Sequence, residues 1–241
     1  YNVNRVLSII SPEKALPAYQ TLKYLYESVG LSPWLGSETL NGSEKPLGDN
    51  YYQLTDKGLT KELGFVGGYG EIMNWMIHLY EATGEYGKCD SRDPLILAQL
   101  LKMFEARSYF RYPAIDKDGN KAMRAEAVIG WRDHNAYPGE IIYGEKGLSR
   151  EATPIMTAAA TLDPKAVAYA QQMIEDNQFF YIINEKLKDR SIHSTQMLLR
   201  VPDEYELIKK QPVESNRLPM AKDSPDFVFS DEEDGVIAIK N

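Results

Sequence analysis

Between Gly70 and Ala82 the chain reads GEIMNWMIHLYEA, and no other stretch limits its architecture so tightly. Ile72, Met73, Trp75, Met76, Ile77, Leu79 and Tyr80 cover nearly the whole circumference of a helix that turns about 100° per residue. A helix apolar on most sides needs neighbours on most sides, so other elements must pack around it. Its polar residues, Glu71, Asn74, His78 and Glu81, stand at i, i+3, i+7 and i+10. They therefore share one stripe roughly 80° wide. That stripe faces either bulk solvent or a wet interior cleft.

The remaining periodic segments are also mostly helical. Ser11 is an N-cap candidate, followed by Pro12 and Glu13, with Leu16, Tyr19, Leu22, Leu25 and Tyr26 on a helical period up to Val29 and Gly30 as the stop. Pro17 kinks this helix or delays its start. Asp93-Pro94 and Asp163-Pro164 each pair a capping carboxylate with a proline at the first helical position, where no N–H is needed. The first helix is predicted to run to about Phe110 and the second through Phe179 and Phe180 to Leu187, with a strand-like FFYII in its middle. Ser149–Leu162 reads as a helix and Pro202–Lys210 as a short last one. Arg111–Asn120 reads as a turn carrying DKDGN, and Ala122–Ile129 fits either helix or strand. Gln211–Ser224 is rich in proline and polar residues and reads as a linker. It leads to DFVFSDEEDGVIAIKN, a strand, an acidic turn and a second strand.

Successive helical hairpins without a parallel-sheet pattern predict a mainly α protein. The expected division is a helical domain over residues 1–212, a linker over 213–225, and the first strands of an antiparallel β domain over 226–241. A lone hairpin is marginal in water, so further strands are expected to follow it in a longer parent protein.

Two stretches are too irregular and too polar for core. Leu31–Gly64 carries repeated glycines and prolines around Trp34, which suits a lid or cleft-edge loop. Gly130–Glu145, GWRDHNAYPGEIIYGE, gathers an indole, a guanidinium, an imidazole, a carboxamide and two phenols. Each such group buried unpaired costs on the order of 1–3 kcal/mol, so the segment is a turn-rich surface loop or faces a polar cavity.

A net charge of -8 argues against general binding to nucleic acid or an anionic membrane. No apolar run reaches the roughly 18 residues of a membrane span. Cys89 is the single cysteine, so no internal disulfide can form. His78, His134 and His193 are widely separated and no HExxH spacing occurs, so no metal ligands are assigned. No cofactor is expected, and a divalent metal would at most be structural. GFVGGYG lacks the Lys-Ser/Thr of a phosphate loop, and GxSxG is absent.

The order of elements resembles the two-domain arrangement of toroid polysaccharide lyases, in which an incomplete α/α barrel precedes an antiparallel β-sandwich. GFVGGYGEIMNWMIHLYEATGEYG looks like one toroid hairpin, and GVIAIKN is similar to a first sandwich strand. The motif DHNAY, with His134, Asn135 and Tyr137, is similar to the Asn/His plus Tyr chemistry of heparinase-like and alginate-lyase-like enzymes. The resemblance implies α/α toroid-like helical hairpins, a polysaccharide or oligosaccharide substrate, and a secreted or periplasmic protein.

β-Elimination at a uronic acid needs its carboxylate neutralised, a base for the neighbouring proton and an acid for the leaving oxygen. Arg132, His134, Asn135 and Tyr137 supply those types as catalytic candidates. Trp131, Tyr143 and Trp34 are candidates for substrate binding, as are the stripe residues Glu71, Asn74 and His78. On so apolar a helix a histidine such as His78 is more often a satisfied core residue than a ligand. A glycoside hydrolase is the enzymatic rival, with two carboxylates drawn from Asp133, Glu140, Glu145, Glu71 and Glu81. The non-enzymatic alternative is a helical glycan-binding module using the same aromatic residues.

Overall fold

A computed structural model describes residues 1–32, 54–60, 73–84, 91–115, 121–127, 142–143, 153–176, 178–188 and 192–241. Among these the fold is mainly helical, with a small two-stranded antiparallel sheet at the C-terminal end.

The hub is α5 (Thr153–Thr161), preceded in the chain by α3 (Met73–Thr83) and α4 (Pro94–Ser108) and followed by α6 (Pro164–Glu175) and α8 (Ile192–Lys209). α5 touches all four of these helices. Its sequence TPIMTAAAT explains why: Ile155, Met156, Thr157 and Ala158 are all buried, and the small Ala158 and Ala160 let neighbouring backbones approach. α3 behaves as its composition demands, with Met76, Ile77 and Tyr80 in the core beside Ile96, Leu100 and Met103 of α4.

Both Asp-Pro starts form as expected. Asp93 Oδ1 accepts from the Leu95 and Ile96 amides, each at 2.9 Å, and Asp163 Oδ1 accepts from Ala166 at 3.0 Å. Asp93 also ties elements together, since Tyr26 donates to its Oδ2 at 2.5 Å and Thr83 Oγ1 accepts from its amide at 2.9 Å. Burial, and then the facing Asp93 carboxylate, push the Tyr26 phenol up to about 12.

Several predicted boundaries move. The first helix is α1 (Asn2–Ile10), for which no expectation stood, and Pro12–Lys14 forms only a 3-10 turn. Pro17 delays α2 to Ala18–Ser28, so Leu16 and Tyr19 are exposed instead of packed. The predicted turn at Arg111 is strand β1 (Arg111–Ile115), paired antiparallel with β2 (Lys121–Ala127), which pairs in turn with β3 (Ile142–Tyr143). The long helix predicted after Pro164 is broken at Asp176, and FFYII belongs to α7 (Gln178–Lys188). Conversely, α8 runs straight through Pro202.

Residues 211–224 are strapped along α6. The Gln171 carboxamide donates to Pro212 O at 2.9 Å and accepts from the Glu214 amide at 3.0 Å, and Gln172 Oε1 accepts from the Leu218 amide at 2.9 Å. The terminal hairpin, β4 (Phe227–Asp231) and β5 (Val236–Lys240), follows. Phe227, Phe229, Val236 and Ala238 pack on Tyr109, Phe110 and Leu59, while Val228, Ile237 and Ile239 are exposed on the other face. No described helix is long and apolar enough to cross a membrane.

Candidate functional site

Two residues of the polar stripe, His78 and Glu81, meet Arg200 of α8. His78 and Glu81 lie one turn apart on α3, and Arg200 reaches them from the middle of α8. Arg200 Nη2 donates to Glu81 Oε1 at 2.9 Å and Nη1 donates to Glu81 Oε2 at 3.1 Å, a bidentate fork on one carboxylate. Its Nε donates to Glu204 Oε1, one turn further along α8. Nη1 also stands 3.1 Å from His78 Nδ1. A guanidinium can only donate, so that contact is a hydrogen bond only when the imidazole carries its proton on Nε2.

The cluster is graded in exposure. The His78 side chain is 45% exposed, Glu81 27%, Arg200 24% and Glu204 8%. Charge follows burial. Glu81 is disfavoured as an anion by its burial, but His78 beside it and the two bonds from Arg200 outweigh that and bring its carboxyl from 4.5 to about 2. Glu204 goes the other way, because burial outweighs the attraction of Arg200 and pushes it above the usual carboxylate range. Burial would pull Arg200 down, but its bonds to Glu81 and the charge of Glu204 hold it up. Glu204 Oε2 is buried without a hydrogen-bond partner among the described residues.

Two carboxylates on one guanidinium, one ionised and one inclined to hold a proton, with an accessible imidazole alongside, can neutralise an anion and move protons. Among the described residues no group of three or more His, Cys, Asp or Glu side chains is placed to hold a metal ion.

Of the residues singled out in the sequence, His78 is brought into this cluster. It is half-exposed, not a core histidine, because the stripe it belongs to faces Arg200 at the surface of the helical body. Asn74 lies one turn before it on α3, and Tyr143 stands in β3 opposite Glu126. Trp34, Glu71, Trp131, Arg132, His134, Asn135 and Tyr137 lie outside the described residues. Arg200 and Glu204 escaped the sequence reading. Their i, i+4 spacing was a usable signal, but it shows only if both lie in one helix, and the helix read from the sequence began at Pro202, between them.

No protein-family model matches this chain, and neither a curated protein nor a solved structure resembles it.

Proposed function

We propose that the protein is a polysaccharide lyase that cleaves an acidic, uronic-acid-containing polysaccharide by β-elimination, and that its helical hairpins form part of an incomplete α/α toroid. The observation that carries this reading is the meeting of an accessible imidazole and a guanidinium at His78 and Arg200. A uronate needs both kinds of group. Arg200 neutralises the sugar carboxylate and so acidifies the C–H beside it, and an imidazole nitrogen takes that proton. The electron pair left on carbon forms the new C=C bond as the glycosidic C–O bond breaks. The departing oxygen takes a proton from an acid, a role for which Tyr137 and His134 are the candidates. Trp131, Tyr143 and Trp34 are the residues proposed to stack on sugar rings.

The test is incubation of the protein, in its longest natural form, with pectate, alginate, heparin, hyaluronan and chondroitin. The absorbance of an unsaturated uronide is expected to rise with at least one of them, and to be lost in R200Q with folding intact. Absence of that absorbance with every polymer rejects the lyase.

The unlike pair Glu81 and Glu204 favours a second reading, a glycoside hydrolase in which one carboxylate stays ionised while the other supplies a proton. New reducing ends without unsaturated product identify that reaction.

A further inference from the structure

The Arg200 fork is already occupied by a carboxylate, and the manner of its occupation is informative. Both Glu81 oxygens are gripped by the two terminal nitrogens, at 2.9 and 3.1 Å, which is how an arginine recognises a free carboxylate. His78 Nδ1 stands 3.7 Å from the nearer oxygen, at the edge of the same carboxylate. Glu81 and Arg200 are each about one-quarter exposed, so a ligand can reach the fork from solvent. Glu204 holds the third guanidinium nitrogen, Nε, from the buried side and anchors the group while the fork is filled.

We infer that Glu81 is a resident occupant of the substrate's carboxylate site, a built-in stand-in that the uronate displaces from Arg200. The inference rests on the lyase reading and names how that site is regulated. The exchange is neutral in charge: one carboxylate leaves the fork as another enters, so Arg200 is never left half-buried without a counter-ion. The carbon next to the Glu81 carboxylate marks where the carbon next to a bound uronate carboxylate lies, and this is the carbon that loses its proton in the elimination. His78 Nδ1, 3.7 Å from Oε2 of that carboxylate, accepts from Arg200 Nη1 while Glu81 fills the fork, and its lone pair is released to take the proton once Nη1 turns wholly to the incoming uronate. The α3 stripe thus carries both the base and the plug, three residues apart.

Isothermal titration calorimetry with galacturonate and glucuronate oligosaccharides tests this on the intact chain. E81Q removes the competing anion while keeping the side chain's size, and is expected to bind at least one oligosaccharide about tenfold more tightly than the natural protein. R200Q is expected to bind none. Wild-type binding supplies a readout that needs no variant. Once displaced, Glu81 returns from about 2 towards its ordinary 4.5, so binding at pH 4.5 takes up protons, visible as a dependence of the binding heat on the buffer's ionisation enthalpy. Equal or weaker binding by folded E81Q overturns the inference, as does undiminished binding by R200Q or the absence of proton uptake. Tighter binding by E81Q without turnover upholds the inference while the lyase reading fails. Turnover with no change of KM in E81Q upholds the lyase and sinks the plug.

Discussion

Leu162 sits between α5 and α6 with φ of 53°, the one non-glycine residue at positive φ among those described. Its position follows from its neighbours. Its amide closes α5 on Ala158 O at 2.8 Å, and Pro164 forces Asp163 into extended backbone. The chain therefore reverses within one residue, in a region that costs an L side chain about 1–2 kcal/mol. The leucine is 49% exposed and gains little from packing there. Leu162→Gly is expected to stabilise the protein by about 1 kcal/mol, raising the thermal midpoint by roughly 2–4 °C in a calorimetric scan. A midpoint that falls would mean that the leucine's contacts outweigh its backbone strain. The Asp-Pro cap after it is plain in the sequence because capping is a local interaction. The left-handed residue is not, because it carries no glycine or asparagine to announce it.

Among elements, the terminal hairpin and the turn at residues 54–60 are held as one unit on the end of α4. Thr55 donates to the buried Asp231 carboxylate at 2.6 Å, the Asp56 amide donates to Glu233 at 2.7 Å, and Lys57 donates to Ser230 O at 2.6 Å and to Glu232 at 2.7 Å. Lys57 and the Ser230 hydroxyl hold the exposed Glu232 carboxyl down to about 2. The close approach depends on Gly58, whose φ is +98° and whose added Cβ would lie 2.7 Å from Lys102 O. Gly58→Ala combines backbone strain with a clash against a helix that cannot move, so a loss of roughly 2–4 kcal/mol is expected in urea unfolding. A variant within 0.5 kcal/mol of wild type, the usual range for a surface change, would show that the turn is not docked in solution.

The hairpin itself was legible from its period of two and its Asp-Gly turn. Its docking was not, because the partners lie more than 170 residues apart in the chain. The same limit explains α8: proline rules start a short helix at Pro202, yet the helix begins at Ile192 and carries Pro202 inside it, with Val201 and Ile208 buried.

For the molecule as a whole, the cluster between α3 and α8 should shape the dependence of stability on pH. Glu204 is raised in the fold, so on acidification from neutrality the folded chain takes up its proton before the unfolded one, and stability increases until pH approaches 4.5. Glu81 is depressed, so its contribution is complete above 4.5 and is lost as pH falls through about 2. Thermal midpoints across this range should therefore pass through a maximum. In E204Q the gain on its neutral side should shrink, and in E81Q the loss on its acid side should shrink. If both variants keep the wild-type profile, the two carboxylates do not titrate as the geometry requires.

What the sequence determined alone is whatever depends on near neighbours. It established a helical body, the two Asp-Pro starts, a helix that packs Met76, Ile77 and Tyr80 into the core, the terminal hairpin, and a polar stripe from Glu71 to Glu81 bound to face solvent or a wet cleft. Periodicity and capping act over a few residues, so they can be read without a fold. Only the tertiary structure decided that the stripe meets Arg200, that Glu81 fills its fork, and that Glu204 lies behind it. The contacts of Arg200 with His78 and Glu81 join residues about 120 positions apart, and their energies come from burial and a shared guanidinium that exist only once the fold brings α3 within reach of the Arg200 side chain.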